Sequence, residues 1–264
     1  MSVLLRVAYD GTEFHGYAPQ PGQRTVHGVL EEQLYELFSG VHVEARAASR
    51  TDAGVHAKGQ IVAFEKPLPI PPKGIVKGLN GHLPPDVAVL AAWEEERPDG
   101  AIVKPRFENG GKHYRYRLVH DRVTDPFRDR FAWRLEQPLD VERMREAARG
   151  FIGTHDYLAF RASDCQASNT MRTVTRVDVQ VEQASTLHGR AVPSYVIDVE
   201  GHAFLKRMVR VMVGTLVEIG RGHFEPDAVT RALASGVRTD AGSTAPARGL
   251  CLVEVKWPGP HTQP

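Results

Sequence analysis

The pentapeptide Arg-Thr-Asp-Ala-Gly occurs twice, at 50–54 and at 238–242. Each copy sets a carboxylate, Asp52 or Asp240, two residues after an arginine and two before a glycine. A carboxylate can act as nucleophile or base. An Asp in such a setting is equally an ordinary turn residue. The first copy continues as "VHAKGQ" and the second as "STAPARG", with no similarity in the flanks. That argues against a simple internal repeat with two equivalent carboxylates.

A third charged residue stands out by its surroundings. "GHAFLKRMVRVMVGTLVEIG" (201–220) leaves almost no polar face, so it reads as a helix buried nearly all round, from about Ala203 to Gly220. Lys206, Arg207 and Arg210 fall in its first two turns and adjoin at helical spacing. Lys206 and Arg207 can reach water past the helix start, whereas Arg210 lies deeper. A buried guanidinium without a partner is costly, so Arg210 is expected to meet a carboxylate. That partnership is either a structural ion pair or a catalytic carboxylate held ionised and oriented.

The elements that must hold these residues are mixed. "SVLLRVAYDG" reads as a buried strand ending in an Asp-Gly turn, and Thr25 as the cap of a helix through about Phe38. "VHVEARA" (41–47) and "GQIVAFEK" (59–66) read as strands with the first pentapeptide between them. A short helix in 71–83 and a strand "VAVLAAWEE" (87–95) follow. "RPDGAIVKPRFENGG", rich in Pro and Gly, marks a boundary near residue 105, giving domains 1–105 and 106–264. The second half restarts with a strand, "KHYRYRLVH" (112–120), in which Tyr114, Tyr116 and Leu118 share one face and Arg115 and Arg117 the other. A helix capped by Asp140 runs from Val141 to about Phe151. "TVTRVDVQVEQ" and "SYVIDVEG" form an antiparallel pair. A short helix from Pro226 stops at Gly236, and "LCLVEVKW" is the last strand. The pattern is α+β, with helices on one side of antiparallel sheets.

Composition narrows the class. With 42% hydrophobic and 25% charged residues the 264-residue chain is of ordinary globular make-up. Its net charge of +1 gives no global basic excess, so a polyanionic partner requires basic residues gathered on one face and balanced elsewhere, as by Glu94, Glu95 and Glu96. Two cysteines, Cys165 and Cys251, make no disulfide framework or metal spacing and read as buried thiols. "MSVLLRVAYDG" does not read as a signal peptide and no run reaches membrane-span length, so the expected location is the cytoplasm.

Taken together, "YDGTEFHGY" (9–17), "RTVHGVLEEQL" (24–34), "SRTDAGVHAKGQ" (49–60), "PRFENGGKHYRYRL" (105–118), "GTHDYLAFRA" (153–162), "MRTV" (171–174), the Arg210 helix and "TAPARGLCL" (244–252) resemble, in order, the TruA family of tRNA pseudouridine synthases. The resemblance spans nearly the whole chain. Tyr17 stands where the family often has Trp, Ala18 where Gln is usual and Ser49 where many have Gly, departures at the rim and turn. The resemblance implies two pseudo-symmetric α/β-sandwich halves of ferredoxin or RRM type, with mainly antiparallel sheets. It matches Asp52 to the essential aspartate, so Asp240 reverts to a turn or cap role.

The implied reaction breaks the N1–C1′ bond of a uridine in the tRNA anticodon arm, at positions 38, 39 and 40, and rejoins the uracil through C5. Nothing is oxidised, so no cofactor and no metal are expected. The uridine must be flipped out of its stack to be reached. Asp52 is expected to attack sugar or base, or to take a C2′ proton. The substrate-binding set is Arg50, which helps hold the flipped nucleotide; Tyr114, which stacks on the base and assists proton removal at C5; Arg210, the partner of Asp52; and Leu250, beneath the base. Leu252 shares that last expectation, and core packing is the alternative for either leucine. The implied assembly is a homodimer with tRNA across both subunits, read by shape and backbone. Two other classes are the alternatives. A non-catalytic RNA-binding module would bind tRNA without chemistry. A nucleoside hydrolase would need a second carboxylate, with Asp10, Asp156 and Asp164 as candidates.

Overall fold

The computed structural model describes residues 1–186 and 189–258. The chain forms two units, one of Met1–Gly111 joined by the chain from Leu252 on, the other of Lys112–Cys251. The expected division after residue 105 falls at the start of a short helix of the first unit, and residues 259–264 of the expected second domain lie outside the described residues.

The first unit is built on β1 (Ser2–Tyr9), flanked antiparallel by β3 (His56–Glu65) and β4 (Val87–Glu95). Val3, Leu4, Leu5 and Val7 are wholly buried, as are Ile61, Val62, Ala63 and Phe64 of β3. A strand covered on both faces reads as an apolar run rather than as an alternation. Helix α1 (Val26–Leu37) buries Val26, Leu30 and Leu34, and the Thr25 hydroxyl caps it by accepting from Gly28 N at 3.2 Å. Helices α2 (Pro72–Asn80) and α3 (Pro105–Glu108) complete the unit. The strand expected over 41–47 shrinks to β2 (Arg46–Ala47) on β3. Left-handed Ser39 and Gly40 turn the chain there. The Ala45 N–H is taken by the Glu31 carboxylate at 3.3 Å instead of a sheet partner.

In the second unit, β5 (Lys112–His120) pairs in parallel with β6 (Trp133–Leu135) and antiparallel with β9 (Ala191–Gly201). Strand β9 pairs antiparallel with β8 (Met171–Ser185), which pairs in turn with β7 (Gly153–Asp156). Helix α4 (Val141–Ala148) is capped by Asp140, which accepts from Glu142 N and Arg143 N, and its end tightens to a 3-10 turn over Arg149–Phe151. The apolar helix α5 (Met208–Gly220) is buried nearly all round, but it starts five residues later than expected. Arg207 is left-handed (φ 60°), which an α-helix cannot accommodate, so Lys206 and Arg207 precede the helix and Arg210 alone of the three lies within it. Lys206 pairs with Asp164 at 2.6 Å. Helix α6 (Ala228–Ser235) begins two residues after Pro226 and stops at left-handed Gly236. Strand β10 (Leu250–Val255) carries the chain back to lie beside β3 in the first unit. Gly59 permits this approach, because a Cβ there would stand 2.5 Å from Val253 O. Cys165 and Cys251 are half-buried and in no disulfide, less enclosed than expected. No helix among the described residues is long and apolar enough to cross a membrane.

The outward face of β5 carries an ion cluster around the buried Asp198. Asp198 on β9 faces Arg115 in register, receives Arg115 Nε at 2.9 Å and Nη2 at 3.0 Å, and lies 2.6 Å from His113 Nε2. Burial pushes the Asp198 carboxyl up, but the hydrogen bonds from His113 and Arg115 outweigh it and hold it well below the usual carboxylate range. A native value below the unfolded one, about 3.9, means the stabilisation is complete above that pH and is withdrawn as pH falls toward the native value. Replacing Asp198 with Asn is expected to cost roughly 3 kcal/mol near neutrality. Urea denaturation should show the gap between variant and parent closing below about pH 4. A gap that does not change with pH would contradict the assignment.

Candidate active site

Asp52 lies on the connection between β2 and β3, and that connection is tied down on one side. Gln60, wholly buried in β3, accepts from Ser49 N at 3.1 Å and donates from Nε2 to Ser49 O at 2.7 Å. The Tyr9 and Thr51 hydroxyls are 2.8 Å apart, and the Thr51 carbonyl accepts from Tyr17 N at 3.1 Å. Beyond Asp52 the chain closes a turn by Val55 N to Asp52 O, 3.1 Å. Gly16, left-handed at φ 95°, allows the neighbouring segment to lie against it, because a Cβ would stand 2.8 Å from Thr51 O. Ser49 and Thr51 are buried, Arg50 is exposed and Asp52 is half-buried. The alternation turns Arg50 and Asp52 to the accessible side.

The remaining expected site residues belong to the second unit. Tyr114 is buried on β5, with its ring edge-on to Phe204 at 5.2 Å between centroids. Arg210 sits in the first turn of α5, where its Nε donates to Ala245 O at 2.7 Å while Ala245 N bonds back to Arg210 O at 3.1 Å. The guanidinium is thereby fixed to the segment leading to β10. Leu250, the first residue of β10, is buried.

The second pentapeptide has a different shape. Arg238–Asp240 form a 3-10 turn, and the Asp240 carboxylate accepts from the Ser235 hydroxyl at 2.6 Å. Arg238 folds back on its own loop, donating to Gly242 O at 2.9 Å and Ala241 O at 3.2 Å. Burial is inverted between the copies: Thr51 is buried and Ala53 exposed, whereas Thr239 is exposed and Ala241 buried. Five identical residues thus take two conformations, and Asp240 is a local turn residue.

Asp10, Asp156 and Asp164 also have local roles. Asp10 accepts from Thr12 N and its hydroxyl and lies 3.1 Å from His56 Nδ1. Asp156 accepts from Leu158 N, and Asp164 pairs with Lys206. Sequence reasoning gave no role to Tyr9, Thr51, His56 or Gln60. The available signal was Gln60 itself, an amide inside the apolar run "GQIVAF", since a buried polar side chain must find partners.

A model of the tRNA pseudouridine synthase family matches residues 6–98 and 147–258. The chain belongs to the tRNA pseudouridine synthase family. It is 42% identical over 256 residues to the tRNA pseudouridine synthase A of Pelobacter propionicus, covering 97% of this chain and 99% of the relative. It is 46% identical over 251 residues to that of Myxococcus xanthus, covering 95% and 90%. It is 41% identical to that of Shouchella clausii, covering 98% and 94%. The matched pseudouridine synthase segments include Tyr9, Arg50, Asp52, Gln60, Arg210 and Leu250. Tyr114, in β5, lies between them.

Proposed function

We propose that the protein isomerises uridine to pseudouridine in the anticodon arm of tRNA, at positions 38, 39 and 40, with Asp52 as the reacting carboxylate. The observation that carries this reading is a half-exposed Asp52 on a braced loop in a chain of the pseudouridine synthase family. One carboxylate suffices because the leaving uracil delocalises its negative charge, whereas an O-glycoside needs a second acid to protonate its leaving oxygen. Asp52 acts as nucleophile or as base at C2′. The N1–C1′ bond breaks, the uracil turns, a C5–C1′ bond forms, the C5 hydrogen leaves as a proton, and N1 takes up a proton from solvent. Arg210 is the proposed partner of Asp52, orienting that carboxylate for reaction. Arg50, exposed beside it, holds the flipped nucleotide. Tyr114 stacks on the base and its hydroxyl assists removal of the C5 proton. Leu250 lines the pocket beneath the base. The working form is a homodimer in the cytoplasm, with tRNA across both subunits.

The test is positional. Transcripts of one tRNA carrying a single uridine at 38, 39 or 40 are incubated with the protein, and pseudouridine is located by carbodiimide modification and primer extension. Stops at all three positions are expected, with none elsewhere. Modification outside the anticodon arm, or none at all, would contradict the reading.

A further inference from the structure

We propose that Tyr9 and Gln60 are positioning residues for the reaction, fixing the aim of Asp52 through a buried chain of hydrogen bonds that ends on Thr51. The proposal rests on the reading of Asp52 as the reacting carboxylate.

The ladder between β2 and β3 continues to the bond from Ala48 N to Ile61 O, 2.8 Å. One residue further, the Gln60 side chain takes the place of a neighbouring backbone. Its oxygen satisfies Ser49 N and its NH2 satisfies Ser49 O. Only a group with both a donor and an acceptor can do this, and a primary amide is one. The same NH2 also reaches the Tyr9 hydroxyl at 3.5 Å, and that hydroxyl meets Thr51 Oγ1 at 2.8 Å. Gln60, Tyr9, Ser49 and Thr51 are all buried. The chain runs from the middle of one strand, through the end of another, to the residue next to Asp52.

A merely structural need at these positions would be met by apolar side chains of the same volume, since removing both partners of a buried hydrogen bond is close to neutral. The hydroxyls and the amide add direction. They fix Ser49 and Thr51 inward, so that Asp52 faces out at one orientation before substrate arrives. A displacement of about 1 Å at a reacting group can cost roughly a hundredfold in rate.

The test uses Tyr9→Phe, Thr51→Val, their double variant and Gln60→Glu, with Asp52→Asn as reference. Each change keeps volume. For the first two and for Gln60→Glu, kcat on tRNA is expected to fall about ten- to a hundredfold while KM stays within about twofold. Tyr9→Phe and Thr51→Val cut the same contact, so the double variant should lose no more than the worse single one. Thr51→Ser keeps the hydroxyl and should keep the parent kcat. Parental kcat in Tyr9→Phe and Thr51→Val beside an inactive Asp52→Asn would overturn the proposal alone. A loss confined to KM or to melting temperature would overturn it too, because that is what a structural role predicts. Full activity in Asp52→Asn would overturn the reading beneath it, and the proposal with it.

Discussion

Asp52→Asn is expected to lose at least about 10⁴-fold in pseudouridine formation, a loss of the size seen when a covalent or proton-transfer group is removed outright. An amide of the same shape is neither nucleophile nor base. The loop that carries it is ordered in part by bonds from Gln60 to Ser49, from Tyr9 to Thr51 and from the Tyr17 amide to the Thr51 carbonyl. None of these bonds uses the Asp52 side chain. With these bonds kept and the side-chain volume unchanged, the variant is expected to bind tRNA within about twofold of the parent, because phosphate contacts supply most of the affinity. Filter binding and nucleoside analysis after digestion measure both quantities on one preparation. A variant that fails to bind as well as to react would show that Asp52 organises the site rather than performing the chemistry.

The second large effect is expected at Tyr114. Its ring packs edge-on to Phe204 and is buried on β5. Phenylalanine keeps that packing and keeps a face for the base, and loses only the hydroxyl. If the hydroxyl assists removal of the C5 proton, Tyr114→Phe should lower kcat by roughly 10²- to 10³-fold, the range of general acid–base catalysis, with little change in KM. The step affected follows glycosidic bond cleavage. A substrate deuterated at C5 should therefore show a larger isotope effect in the variant than in the parent. Ala in place of Tyr114 removes the stacking face as well and should raise KM in addition. Equal kcat in Phe and parent enzymes would reduce Tyr114 to a packing residue.

Much of the frame was legible in the residues because local patterns sufficed. Strand β5 keeps its expected limits, with Tyr114, Tyr116 and Leu118 inward and Arg115 and Arg117 outward, since alternation depends only on the pleat. The caps of α1 and α4 were legible because Thr25 and Asp140 bond within their own first turns. Long-range features were not. The lead-in to α5 looks helical by apolar content, but left-handed Arg207 breaks it, and no composition rule announces that conformation. The return of β10 to β3 depends on a close approach at Gly59, nearly two hundred residues earlier in the chain. At the site, Asp52 was legible only through the resemblance. The conformational contrast between the two pentapeptides is decided by what lies beneath each: Gln60 and Tyr9 under the first, Ser235 and the chain's own carbonyls around the second.

The central claim is that one of two identical pentapeptides carries the chemistry, and tritium release tests it most directly. Transcripts of tRNA carrying [5-³H]uridine are incubated with the parent protein, Asp52→Asn and Asp240→Asn, because rejoining through C5 expels the label to water. Release by the parent and by Asp240→Asn, with none from Asp52→Asn, is the predicted result. Release by Asp52→Asn, or its loss in Asp240→Asn with folding intact, would contradict the account.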